Sequence, residues 1–187
     1  MDLTNKILSK TSNELISALE QVKNEGVKNQ FSFDVDLSTI QDFNFIDIRE
    51  SHEYKALFKR LMSMNGPVLY WFEIDSNIEN STIRAAIKNY SNSDNSKAIP
   101  ALKKRFDENS RCLYVGKVKK SFWGRLIQHL GFYKVNATQG LQLFYWAKDL
   151  NLRLKIHTYE FEQEMEDLVS IFEIKLAKEL RSLIGKH

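Results

Sequence analysis

The chain has 187 residues, 43% hydrophobic and 27% charged, with a formal net charge of +3. That length suits one elaborated domain, and the mildly basic balance permits a nucleic-acid partner without demanding one. The single cysteine, Cys112, excludes an intramolecular disulfide and a cysteine-rich zinc site. No run approaches the ~18 apolar residues of a membrane helix. The first ten residues, MDLTNKILSK, lack the core of a signal peptide, so a soluble, cytoplasmic protein is expected.

The first expected element is a helix from about Glu14 to Asn24. Thr11 and Glu14 have capping-box spacing, Leu15, Ile16, Leu19 and Val22 form an apolar face for packing, and Gly26 ends it. Residues 31–48 alternate irregularly, as one or two strands or an extended wrap would. A second helix is expected over about Ser51–Met64, with Tyr54, Leu57, Phe58, Leu61 and Met62 on one face and Asn65-Gly66 as its stop. Pro67 leads into VLYWFEI, which reads as a buried central strand with Val68, Tyr70, Phe72 and Ile74 on one face.

Two helical pieces are expected in the next stretch, about Thr82–Tyr90 and Ile99–Phe106, separated by the polar loop SNSDNSK. Lys103, Lys104 and Arg105 make the second piece basic: either a solvated helix face or a contact to a DNA backbone. From Cys112 to Gly131 a strand turns into a helix. Cys112, Tyr114, Gly116 and Val118 alternate with Leu113, Val115 and Lys117. After the turn at Lys119-Lys120-Ser121, Phe122, Trp123, Leu126, Ile127 and Leu130 are the apolar positions of a helix that Gly131 ends. Arg125 and His129, four apart, share a helix face. Cys112 reads as a buried thiol. A helix over about Leu141–Leu150 and a strand in RLKIHTYEF follow, with Leu152, Leu154 and Ile156 inward and His157 outward. The last helix is expected over about Gln163–Ile184, with Leu183 on its buried stripe and Glu173 at the stripe's margin.

The stretch around Tyr114-Val115-Gly116, with Arg125 and His129 behind it, resembles the GIY-YIG nuclease superfamily. Val68-Leu69-Tyr70 stands for the first motif, with valine in place of the leading glycine, and Glu173 stands for the glutamate on a later helix. The resemblance covers roughly 66–187. It implies an α+β domain with a small, mostly antiparallel central sheet flanked by helices. Residues 1–65 would be a helical extension packed on it, and about 75–111 an insertion between the motif strands. The implied activity is metal-dependent DNA endonuclease. Glu173 would hold one Mg2+ or Mn2+, and Arg125 would clamp the phosphate. Tyr70 would activate water, with Lys117 or the metal lowering its pKa. Tyr114 and His129 would orient water and phosphate, and Gly116 would let a bound group approach the backbone. Lys119 and Lys120 join the basic cluster as DNA contacts.

Read without the resemblance, Tyr70 and Tyr114 are core aromatics, Arg125 and His129 an exposed helix pair, Lys117 a strand-end lysine, and Glu173 a salt-bridge partner. The alternative function is a non-catalytic nucleic-acid-binding module on the same fold, and a protein-interaction adaptor built on the amino-terminal helices is a third.

Overall fold

A computed structural model describes residues 2–104, 107–133 and 139–186. Among them an α+β architecture is built from four strands and six helices. The strands are β1 (Asn29–Asp36), β2 (Val68–Ile74), β3 (Cys112–Val118) and β4 (Arg153–Glu160). They form one antiparallel sheet in the order β1-β4-β2-β3, so the last strand in the chain lies between the first two. The helices are α1 (Leu3–Glu25), α2 (Lys55–Met62), α3 (Asn80–Ser91), α4 (Phe122–Leu130), α5 (Leu143–Trp146) and α6 (Val169–Glu179).

Period-two alternation sorts the strand side chains into two cores. Val68, Tyr70, Phe72 and Ile74 of β2 join Leu154 and Ile156 of β4 under α2, α3, α4 and α5. Leu69 and Val115 face the other way and pack with Val169 and Ala177 of α6 and Ala18 of α1. Residues 31–48 are both a strand and a wrap: β1 takes the sheet edge, then Leu37, Ile40 and Phe43 fold over the first core. The amino-terminal extension therefore contributes a strand to the common sheet.

His157, expected to be exposed, is half-buried on the second face. Its ring stacks on Trp71 at 4.2 Å and sits in hydrogen bonds with Ser32 (2.8 Å) and Glu73 (2.7 Å). Flat aromatic area and two polar partners tie β1, β4 and β2 together, which outcompetes solvent for this imidazole.

Three helical expectations are corrected. Residues 99–104 form no helix; Leu102 makes an antiparallel bridge to Ile184, and the Lys103 N–H donates to the Leu183 carbonyl. Pro100 lacks an N–H and disfavours helical geometry at Ile99, while the extended backbone finds partners in the carboxy-terminal strap. The Arg105 part of that expectation lies outside the described residues. The final helix stops at Glu179, and Arg181 takes a positive φ of 52°. The chain then runs back as an extended strap along β3, with the Leu183 and Ile184 N–H groups donating to the Cys112 and Leu113 carbonyls. Leu183 is buried there rather than on a helical stripe. The expected packing face of α1 is also largely uncovered, because the helix meets the body mainly through Ala18 and Val22.

Candidate functional site

The two tyrosine strands are neighbours despite the long segment that separates them in the chain. Tyr70 pairs with Gly116 and Phe72 with Tyr114, which turns both phenols to the α4 side of the sheet. Gly116 is the space they occupy. A Cβ there would lie 2.6 Å from the Tyr70 oxygen and 2.6 Å from a Tyr114 ring carbon. The glycine serves this ring pair rather than a bound group, which corrects the cofactor contact expected of it.

α4 supplies the other partners. Gly131, at φ 105°, ends the helix in the left-handed region, as its position implied. One turn apart, Arg125 and His129 both reach Tyr70: Arg125 Nε–H donates to the phenol oxygen at 3.3 Å, and His129 Nε2 lies 2.8 Å from it. His129 Nδ1 accepts the Leu141 N–H at 3.3 Å, which leaves the ring proton on Nε2. Tyr70 therefore accepts from both His129 and Arg125, and its ring packs against that of Tyr114 with centroids 6.3 Å apart.

Burial sets the charge states. It holds His129 well below the ordinary histidine range, with Arg125 adding to the effect, so the imidazole is neutral near pH 7. It pushes Tyr70 far up, with Arg125 only partly opposing, and pushes Tyr114 up against the same opposition. Tyr70 is fully buried and strongly held as a neutral phenol. It cannot be the water-activating base expected from the resemblance, because its anion would be desolvated and its oxygen already accepts two donors. Burial likewise pushes the Cys112 thiol up to about 12, in keeping with a packing role.

In front of this cluster a pocket of about 230 Å3 opens beside β3. Tyr114, Arg125 and Glu173 line it together with Pro100, Gln139 and Lys186. Glu173 arrives from α6, Arg125 from α4, and Lys186 from the strap. Arg125 is further fixed by donating to the Gln128 side-chain oxygen at 2.9 Å. Tyr70 and His129 stand behind Tyr114 rather than in the lining.

The remaining sequence candidates do not join this site. Lys117 pairs in register with Leu69, one residue from Gly116, and so turns to the α6 face rather than toward Tyr70. It is too far round the strand to tune the phenol. Lys119 is held by Glu166 at 2.9 Å and Asp167 at 3.1 Å. Lys103 is half-buried, and burial lowers its pKa. Lys104 and Lys120 are exposed. Lys186 and Gln139 were not anticipated. Nothing in the local sequence marks them, since Lys186 reaches the pocket on the strap and Gln139 between α4 and α5.

No group of three or more histidine, cysteine, aspartate and glutamate side chains suited to a metal ion occurs among the described residues. The donor set of the pocket is one carboxylate, Glu173, with the Tyr114 hydroxyl on the same lining. That set does not suit zinc, which takes several nitrogen or sulfur ligands. It fits a hard cation such as magnesium, which keeps most of its waters and takes one or two protein oxygens. No family model, no curated protein and no solved structure matches this chain.

Proposed function

We propose that the chain is a metal-dependent DNA endonuclease of the GIY-YIG type, hydrolysing phosphodiester bonds in the pocket beside β3. One observation carries the reading: Glu173, remote in the chain, lines one pocket with Tyr114 and Arg125, and Tyr70 and His129 are hydrogen-bonded behind it. Such a juxtaposition of a fixed guanidinium, a hydroxyl donor and a carboxylate is what phosphodiester hydrolysis requires.

Arg125 binds the scissile phosphate. Its planar fork matches phosphate oxygens, it stays protonated, and its bonds to Tyr70 and Gln128 hold it in place before substrate arrives. Tyr114, packed against Tyr70, presents its O–H to the pocket and donates to a phosphate oxygen. Tyr70 and His129 are positioning residues that hold Tyr114 and Arg125 in register. Glu173 would hold a magnesium or manganese ion, which when bound would supply Lewis-acid charge at the phosphate. Lys186 adds a second positive charge to the pocket wall.

The experiment is nicking of supercoiled plasmid by the wild-type chain in magnesium or manganese, beside a gel shift with duplex DNA. Nicking that requires the divalent ion supports the reading. Binding without nicking in either metal would make the protein a nucleic-acid-binding module.

A further inference from the structure

α4 stands between two openings. Arg125, on one flank, lines the pocket beside β3. Trp123 and Ile127, on the other flank, line a second and larger cavity of about 550 Å3. Phe45, Asp47, Arg49 and Phe132 are among its other walls. With about 100° between successive residues, Trp123 and Arg125 lie about 200° apart round the helix, and Gly124 falls midway between them on the solvent side.

Gly124 is not explained by the packing of the chain itself. It is the third residue of α4, and its φ is not in the left-handed region. A Cβ there would meet nothing within 4 Å beyond its immediate helix neighbours among the described residues. Glycine is among the poorest helix formers, so the fold alone would favour almost any other residue at this position. What the glycine provides is a bare crest between the two openings, where a ligand can lie against the backbone.

The second cavity suits a flat ring. Phe45 is 92% exposed although the loop that carries it is fixed. The Asn44 N–H donates to Asp42 at 2.9 Å, and the Asn44 side-chain oxygen accepts from the Tyr145 hydroxyl at 3.2 Å. On the same lining the Arg49 guanidinium stands 5.1 Å over the Trp123 ring. The Asp47 carboxylate that holds it accepts from Arg49 Nε at 2.9 Å and is thereby neutralised. Aromatic faces with a guanidinium among them are the means by which proteins hold unpaired bases. An apolar side chain of a protein partner would also fit the aromatic floor, but it would leave the bare crest and Arg125 without a use.

We propose that the cavity lined by Phe45 and Trp123 is a nucleobase site, filled by an unpaired base of a DNA strand that crosses α4 at Gly124 from the phosphate at Arg125. The inference rests on the nuclease reading, through that phosphate, and adds the substrate class: DNA with unpaired nucleotides beside the cleaved bond. A base inside a continuous duplex is stacked on its neighbours and cannot reach the cavity.

The test uses the full chain in EDTA, where no divalent ion is available for cleavage, and two fluorescent hairpin DNAs, one blunt and one with a short unpaired thymidine tail. Anisotropy titrations should show the tailed hairpin bound about tenfold more tightly, the scale of one base stacked on an aromatic ring. Phe45→Ala removes an exposed side chain and Gly124→Gln installs a better helix former, so neither should lower the unfolding temperature. Each should nonetheless remove most of the preference for the tail. No difference between the two hairpins in the wild type overturns the proposal, and leaves the cavity to a protein partner. A variant that keeps the preference overturns its own part: the cavity for Phe45→Ala, the path over α4 for Gly124→Gln. Wild-type nicking of plasmid without the tail preference removes this inference alone, and the preference without nicking in magnesium or manganese removes the nuclease reading alone.

Discussion

At the scale of single residues, Gly116 and His129 carry more of the site than their size suggests. Gly116→Ala would place a methyl group 2.6 Å from the Tyr70 oxygen, with β2 and β3 unable to separate. Overpacking of this kind typically costs about 1–3 kcal/mol. Denaturant unfolding should show that loss together with reduced cleavage, and wild-type stability would mean that the tyrosine rings have room to move. His129 makes a pH prediction. Its folded-state pKa lies below the ordinary value of about 6.5, so below that pH the unfolded chain binds a proton that the folded chain refuses. The associated stability is fully present above about pH 6.5 and is lost as the pH falls, by up to about 1.4 kcal/mol per pH unit. His129→Gln should flatten the wild-type stability profile between about pH 6.5 and 5. Equal slopes in the two proteins would mean that the imidazole takes up its proton in the folded state. The Tyr70, Tyr114, Arg125 and His129 set was legible in the sequence as residue types in order. Which of them meets solvent was not, since that depends on how deeply α4 seats against the sheet. The orientation of Lys117 is a different case. Strict alternation already put it on the opposite face from Tyr114 and Gly116.

At the scale of elements, β2 and β3 were legible because their patterns are local. VLYWFEI is an apolar β-forming run and CLYVGKV alternates with a glycine at the close contact, and both strands span those residues. The carboxy-terminal strap was not legible, because its cause is non-local. The periodicity of 163–184 continues a helical pattern past Glu179, but the backbone beyond Arg181 is claimed by the free edge of β3 and by residues 101–103. In the proposed nuclease the strap would matter because it builds one wall of the pocket and carries Lys186. Ile184, fully buried, pins it. Ile184→Ala should cost about 2–5 kcal/mol, the usual range for truncating a buried aliphatic side chain. It should also lower cleavage more than Leu154→Ala, which truncates a comparably buried side chain on β4. Equal losses of activity would make the strap merely a stabilising cover.

At the scale of the whole molecule, the sheet's strand order explains how β2 and β3 stay paired across the long segment between them. β4 enters between β1 and β2, which leaves β3 as an edge open to the strap on one side and paired with β2 on the other. α4 and α6 then approach that edge from opposite faces, and the pocket lies where they meet. Lys119 is occupied by Glu166 and Asp167. In the proposed nuclease, phosphate recognition would fall mainly to Arg125 and Lys186 within the pocket. Glu173 is the carboxylate on which the enzymatic reading turns. The most direct measurement is the metal-dependent plasmid-nicking rate of Glu173→Gln, set beside Glu166→Gln and the wild type. Gln preserves shape but removes the charge that holds a hard cation. Glu173→Gln should lose at least ~10²–10³ in rate while keeping its fold and its affinity for DNA, and Glu166→Gln, outside the pocket, should cleave like the wild type. Wild-type cleavage by Glu173→Gln would make the carboxylate structural and place the chemistry elsewhere on the molecule.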